Sequence, residues 1–137
     1  VSYLIDTNVI SELPKGDRCD PAVAAWWAKV SEDELWISAL VLGEIRRGIE
    51  LARRRDPQKA KALETWLEEV FAGFGDRVLQ VDERGADEWG RMNAIRPLPV
   101  IGALLAATAR ANNLNFVIRN RSDAQDVGVN IFNPFAA

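Results

Sequence analysis

Histidine is absent from this 137-residue chain, and cysteine, methionine and tyrosine occur once each. Without histidine there is no Ser-His-Asp or Cys-His nucleophilic site, no imidazole base and no histidine-ligated zinc. The single cysteine, Cys19, permits neither an internal disulfide nor a structural zinc site built of cysteines. Any catalysis must therefore depend on carboxylates, hydroxyls, Lys or Arg, or on a bound metal that prefers oxygen ligands.

Long apolar runs are also missing. No stretch approaches the roughly 20 apolar residues that a membrane-spanning helix requires, and the N-terminus has no signal-peptide pattern. We therefore expect a cytoplasmic protein with no membrane partner. Hydrophobic residues make up 48% of the sequence and charged residues 27%, which is the balance of a globular protein. At this length, we expect residues 1–137 to form a single domain.

The charge is slightly acidic overall but unevenly distributed. The chain has 17 basic and 20 acidic residues, and a net charge of −3 argues against a dedicated, strongly basic nucleic-acid-binding domain. Five of the arginines nevertheless lie between positions 46 and 55, with Glu50 as the one acidic residue among them. On its own, this cluster favours a solvated helix face over a phosphate-binding edge, for which Arg46 and Arg47 are the candidates.

Short apolar segments alternate with helical patterns along the chain. The predicted strands cover residues 2–5 with 9–10, 35–38, 78–81, 116–118 and 129–132. The predicted helices span about 21–30, 39–55, 57–73, 83–95 and 100–112, and four of them begin after the capping residues Asp20, Ser38, Asp56 and Asp82. Apolar strands that alternate with helices form parallel sheets covered on both faces. The pattern therefore predicts an α/β fold, a three-layer α/β/α sandwich with a short parallel sheet of about five strands.

Side chains with oxygen donors follow three of these strands. Asp6 follows the first strand, and Glu44 lies early in the helix after the second; Arg119, Asn120 and Asp123 follow the fourth. Open parallel sheets place their ligands beyond the carboxyl ends of the strands. Clustered carboxylates need a compensating cation such as Mg²⁺ or Mn²⁺, which can activate water for phosphodiester hydrolysis. Taken singly, however, each of these residues is more simply explained as a turn, cap or surface residue.

Four segments carry a family resemblance, namely YLIDTNVISEL at 3–13, ISALVLGEIRRGIEL at 37–51, PLPVIGALLAATARANNLNFVIRN at 97–120 and VNIFNPF at 129–135. In this order and spacing they resemble the PIN-domain nucleases, and most closely the VapC-type toxins of bacterial toxin–antitoxin pairs. The resemblance covers the whole chain. It implies a PIN-like fold and a metal-dependent endoribonuclease that hydrolyses RNA phosphodiesters with Mg²⁺ or Mn²⁺.

The resemblance also implies roles for individual residues. Asp6 and Glu44 align with the first two acidic metal ligands of the family. Asn120 and Asp123 lie in the region that supplies the fourth group, and we favour Asp123 as the metal ligand and Asn120 as the residue that orients water. Weaker candidates for substrate contacts are Thr7, Asn8, Arg46, Arg47 and Arg119.

One position departs from the family pattern. Where relatives have P-x-x-D-A-x-x-A-A-T, this chain has Gly102 in place of the aspartate. A glycine inside a helix costs about 1 kcal/mol relative to alanine, and no turn or cap is due here. Close helix packing is one explanation, and a lost metal ligand, through natural drift or an engineered change, is the one we favour. In that case metal binding and cleavage are weakened.

The resemblance further implies partners. A cognate VapB-like antitoxin is expected to block the acidic pocket and to carry the pair to promoter DNA, which suits the acidic charge of this chain. A homodimer is expected on the same basis. The alternative function is a catalytically silent PIN-fold binding protein in an antitoxin–DNA complex, and Gly102 is its main support.

Overall fold

A computed structural model of the chain describes residues 1–121 and 124–136. The strands are β1 (Tyr3–Ile5), β2 (Leu35–Ser38), β3 (Val78–Leu79), β4 (Asn115–Val117) and β5 (Ile131–Phe132). The α-helices are α1 (Thr7–Ile10), α2 (Pro21–Lys29), α3 (Ala39–Arg53), α4 (Pro57–Phe74), α5 (Glu83–Ile95) and α6 (Val100–Ala111). Shorter 3-10 segments cover Leu13–Arg18, Glu32–Glu34, Gly75–Arg77 and Pro134–Ala136.

The strands form one sheet in the order β3-β2-β1-β4-β5, and each neighbouring pair is parallel. In the central strand β1, the consecutive residues Leu4 and Ile5 are both 0% exposed. Because successive side chains of a strand point to opposite faces, both faces of the sheet are covered. The predicted α/β fold with five parallel strands is confirmed.

Local capping determines where four of the helices begin. The side chains of Asp20, Ser38, Asp56 and Asp82 each accept a hydrogen bond from a backbone N–H in the first turn of the helix that follows. The Asp82 carboxylate, for example, accepts from the Gly85 N–H at 2.9 Å. These bonds satisfy N–H groups that have no partner within the helix, so the predicted starts are confirmed.

The prediction for residues 9–10 is wrong, because they belong to helix α1 and not to the first strand. The Asp6 carbonyl accepts from the N–H groups of Val9 and Ile10 at 3.1 and 3.2 Å. This turn ends β1 at Ile5. Val9 and Ile10 are both 0% exposed, so they are apolar because a helical turn buries them in the core.

The buried face of α3 differs by one position from its expected composition. The apolar spacing of the sequence predicts an inner row of Leu42, Ile45, Ile49 and Ala52, but Leu42 is 40% exposed. Val41 is instead buried, in line with Ile45 and Ile49. Residues four apart lie on one face of a helix, which makes 41, 45 and 49 a single row.

Element ends also differ from their expected positions by a few residues. Helix α4 ends at Phe74, and its C-cap is Gly75, whose positive φ of 55° is readily adopted by glycine. Strand β3 is limited to Val78–Leu79, and β5 to Ile131–Phe132. Both are edge strands with a single sheet neighbour, which limits how far their pairing extends.

Among the described residues, no single helix is both long and apolar enough to cross a membrane. Only α5 and α6 taken together meet that criterion by length and composition, and they are bent by 119°. Most of the side chains from Ala103 to Ala109 are buried in the core of the domain.

A buried carboxylate, Glu12, ties the segment after α1 to the beginning of α2. Its side chain is 9% exposed and forms an ion pair with Lys15. One of its oxygens also accepts the backbone N–H of Asp20 at 2.9 Å. The Lys15 hydrogen bond, together with the Asp20 N–H, holds the pKa of Glu12 below its ordinary value.

We expect Glu12→Gln to lower the free energy of unfolding at neutral pH by roughly 1–3 kcal/mol, since charged hydrogen bonds are lost from a buried group. The folded-state pKa is lower than the unfolded-state pKa, so the contribution is present above the unfolded value and is lost as pH falls through the folded value. In urea unfolding at neutral and acidic pH, the free energy of unfolding of Glu12→Gln should therefore fall less on acidification than that of the parent. The exposed Glu32→Gln is the control, and equal acid sensitivity of Glu12→Gln and the parent would refute the assignment.

Candidate active site

Asp6 and Glu44 line one cleft of about 360 Å³ at the carboxyl edge of the sheet. Asp6 directly follows β1, and its backbone N–H donates to the Val117 carbonyl of β4 at 2.9 Å. Asp6 is 7% exposed. Glu44 is half-buried in α3, which begins where β2 ends. Because β1 and β2 are parallel neighbours, their carboxyl ends bring the two side chains to one place.

Thr7 and Asn8 support these carboxylates from the chain itself. The Thr7 hydroxyl donates to Oε1 of Glu44, so the residue after the first acid orients the second. The Asn8 backbone N–H donates to Oδ2 of Asp6 at 3.4 Å, and Asn8 also lines the cleft. Thr7 was a candidate for substrate contact, and the structure gives it a positioning role.

Gly102 lines the same cleft, three residues into α6. A Cβ built at Gly102 would meet no heavy atom within 4 Å outside the local backbone. Close helix packing therefore does not explain this glycine. The space in front of it is the space that an aspartate side chain would occupy.

The carboxylate oxygens of the cleft fit a divalent cation that prefers oxygen ligands. Mg²⁺ is commonly bound through one or two carboxylates and keeps several of its waters, so Asp6 and Glu44 are sufficient in number and type. Within residues 1–121 and 124–136, no group of three His, Cys, Asp or Glu side chains forms a metal cluster.

The candidates that follow β4 are not all brought to the cleft. Asp123 lies outside the described residues. Ile118 lines the cleft, whereas Arg119 and Asn120 are exposed and are not among its described lining residues. The Arg119 guanidinium lies over the Phe135 ring, 4.6 Å from its centroid. Arg119 therefore has a structural contact with the C-terminal segment, and its substrate contact stays a prediction.

Two arginines of the cluster between positions 46 and 55 are engaged in ion pairs. Arg46 and Arg53 both contact Glu64 of α4 as well as Glu50 of their own helix. The Arg53–Glu64 and Arg53–Glu50 distances are 3.1 and 2.9 Å, and the hydrogen bond from Arg46 lowers the pKa of Glu64. Arg46 thus joins α3 to α4. Arg47 is exposed and forms no ion pair in the described ranges, so its phosphate contact stays a prediction.

A second concavity borders Glu44 on its other side and was not anticipated from the sequence. This groove of about 440 Å³ lies between the 3-10 segment Leu13–Arg18, α3 and α4. It contains three cations, Lys15, Arg18 and Lys59. Local patterns could not reveal the groove, because Lys59 is separated from the other two by two helices and a strand.

Comparison with known proteins identifies the family to which this fold and this cleft belong. The PIN domain family matches residues 3–129. The "VapC ribonuclease Y4jK" of Sinorhizobium fredii is 33% identical over 138 residues, which cover 96% of each chain. The crystal structure of FitAcB from Neisseria gonorrhoeae matches with a TM-score of 0.90 and 27% identity, covering 98% of this chain and 99% of that one. A structure of FitAB bound to an IR36 DNA fragment matches with a TM-score of 0.87 and 26% identity, covering 97% and 95%. This chain therefore belongs to the PIN-domain family and, within it, to the VapC-like ribonuclease toxins of toxin–antitoxin pairs.

Proposed function

We propose that this protein hydrolyses RNA phosphodiesters with Mg²⁺ or Mn²⁺ held by Asp6 and Glu44, and that Gly102 limits its rate. The observation that carries the proposal is the convergence of the two carboxylates on one cleft, opposite an open position on α6. Asp123 is proposed as a further ligand, and Asn120 as the residue that orients water, from the family resemblance alone.

The residues of the cleft have different proposed roles in catalysis. A bound divalent cation would supply activation of water and neutralisation of charge on the leaving oxygen. Asp6 is buried and anchored to β4 through its backbone, which gives its carboxylate a defined position. The Thr7 hydroxyl donates to Oε1 of Glu44 and so orients a carboxylate that would hold the cation or accept a proton from water. This fixed arrangement lowers the cost of orienting the groups for reaction.

The direct test is cleavage of a labelled RNA mixture in Mg²⁺ or Mn²⁺, with and without EDTA. We expect slow cleavage by the parent chain, none in EDTA, and a loss of about 100-fold or more in Asp6→Asn and Glu44→Gln, which corresponds to roughly 3 kcal/mol of barrier. Glu68→Gln makes the same carboxylate-to-amide change at an exposed site of α4 and should cleave like the parent. Unchanged cleavage by Asp6→Asn would refute the site.

The second candidate function is a catalytically silent PIN-fold protein that acts by binding alone. It is favoured by one observation, the loss of a carboxylate at Gly102 in an otherwise complete pattern. The retained pairing of Thr7 with Glu44 argues for a nuclease instead, because a binding protein has no need to orient that carboxylate. Absence of cleavage in the parent and also in Gly102→Asp would decide for the binding protein.

We also infer a protein partner. The matched structures include FitAcB and also FitAB bound to a DNA fragment. By analogy, a VapB-like antitoxin would cover the cleft of this chain and mediate contact with promoter DNA, and the toxin would form a homodimer. The net charge of −3 supports DNA binding through the antitoxin and not through this chain. Cytoplasmic location stays a prediction.

A further inference from the structure

We propose that the groove between the Leu13–Arg18 segment, α3 and α4 holds the single-stranded RNA next to the bond that is cut. The proposal rests on the proposed nuclease function. Glu44 lines both this groove and the acidic cleft, so the two concavities adjoin at a carboxylate of the site. A chain that passes through the cleft would therefore enter the groove.

The charge of the groove is complementary to a polyanion. Lys15 and Arg18 approach from the 3-10 segment, and Lys59 approaches from α4. Lys15 is compensated by Glu12, but Arg18 and Lys59 are exposed and form no ion pair within the described part of the chain. Arg46 and Arg53 of α3, in contrast, are paired with Glu50 and Glu64, and the exposed Arg47 does not line the groove. Unpaired positive charge thus borders this groove in a protein that is acidic overall.

The walls between these cations are apolar and aromatic. Leu63 and Trp66 are half-buried and line the groove, and Ile49, which is 1% exposed, forms part of its floor. Grooves that bind single-stranded nucleic acid combine cations for the backbone with an aromatic ring on which a base stacks. An apolar protein segment would bury Arg18 and Lys59 without counter-charge, which is costly. RNA is therefore the occupant that the groove fits.

Gly48 provides a way to close the groove without removing any contact of the fold. It lies in α3 and lines the groove, and a Cβ at this position would meet no heavy atom within 4 Å outside the local backbone. Replacement of a helical glycine also favours the helix. Gly48→Leu should therefore fold and place a side chain in the RNA path. Gly90→Leu, at an exposed and equally open position of α5, is its matched control.

The test measures binding of a fluorescein-labelled single-stranded RNA of random sequence by anisotropy in EDTA, where no cleavage is expected. We expect the Kd of Arg18→Glu/Lys59→Glu to rise about ten-fold or more, and its salt slope to fall by roughly 1.4, or about 0.7 for each lost phosphate contact. Gly48→Leu should weaken binding several-fold. Arg55→Glu/Lys61→Glu makes the same change in net charge outside the groove and, like Gly90→Leu, should bind within about two-fold of the parent.

The possible results separate this proposal from the proposed function. Equal weakening in the charge control would show that RNA affinity follows net charge, which overturns the groove as the RNA path. Unchanged affinity in Arg18→Glu/Lys59→Glu and in Gly48→Leu also overturns it, while Asp6-dependent cleavage would still uphold the nuclease. In that case loss of antitoxin binding in the same variants would identify a protein-docking surface. A parent chain that neither binds nor cleaves RNA would refute both proposals.

Discussion

Gly102→Asp is expected to raise metal-dependent RNA cleavage by about 100-fold or more over the parent chain. The substitution adds a third carboxylate to a cleft that already holds Asp6 and Glu44. An added ligand should tighten divalent cation binding and fix the position of the attacking water. A gain of this size corresponds to roughly 3 kcal/mol of barrier.

The fold should accept this change at little cost. The Cβ at Gly102 enters open space, so no neighbour has to move. The position lies in the first turn of α6, where a negative charge interacts favourably with the unpaired N–H groups of the helix. Loss of a helical glycine adds a further favourable term of up to about 1 kcal/mol.

Gly102→Asn separates the carboxylate from these effects on the helix. It has nearly the same size and also replaces the glycine, but it lacks the negative charge by which an added carboxylate attracts a divalent cation. We expect Gly102→Asn to fold as well as Gly102→Asp and to cleave close to the parent rate. Cleavage at equal rates by the parent and Gly102→Asp, with equal Mn²⁺ affinity measured by calorimetry, would show that another group already completes the site. Asp6→Asn in the Gly102→Asp background should abolish the gain and so exclude a contaminating nuclease.

Gly128→Ala is expected to lower the free energy of unfolding by roughly 2–3 kcal/mol. Gly128 has a φ of 84°, a left-handed conformation that costs a residue with a Cβ about 1–2 kcal/mol. The new Cβ would also lie 2.4 Å from Nη1 of Arg110. That guanidinium cannot move freely, because it donates to the Val127 carbonyl at 2.9 Å and pairs with Glu88 at 3.1 Å. Its displacement would weaken the ion pair with Glu88 and remove a hydrogen bond worth about 1 kcal/mol.

Urea unfolding measures this cost directly, and Gly90→Ala provides the matched control. Gly90 lies in α5, is exposed, and has no heavy atom near the position of a Cβ outside the local backbone. Gly90→Ala should therefore stabilise the protein by up to about 1 kcal/mol. We expect the free energy of unfolding to fall in Gly128→Ala and to rise in Gly90→Ala. If Gly128→Ala unfolds at the parent's urea concentration, the predicted backbone strain at Gly128 and the predicted clash with Arg110 are disproved.

Local signals in the sequence account for much of the predicted architecture. Caps such as Ser38 and Asp82 act on N–H groups two or three residues away, so the same bonds are available in any chain with that sequence. The alternation of apolar strands with helices determines a parallel sheet, because both faces must be covered. Residues 9–10 were assigned incorrectly since a short apolar run suits a buried helical turn as well as a strand. Their hydrogen bonds to the Asp6 carbonyl show that the segment is a helical turn.

The features of the candidate site can likewise be separated into those that the sequence determined and those that depend on the tertiary structure. The sequence by itself determined the fold class, the helix starts, and the family motifs that single out Asp6, Glu44 and the unusual Gly102. It also excluded every mechanism that needs histidine. These conclusions depend on residue types and short spacings, which a sequence displays completely.

Only the tertiary structure decided how distant residues are combined. It placed the Thr7 hydroxyl on Glu44, which lies 37 positions away, and it left open space in front of Gly102. It joined Arg46 to Glu64 across two helices and left Arg18 and Lys59 of the groove without an ion pair in the described part of the chain. Burial, ion pairing and free volume depend on which segments the core packs side by side. That arrangement is a property of the whole fold, and no short stretch of sequence contains it.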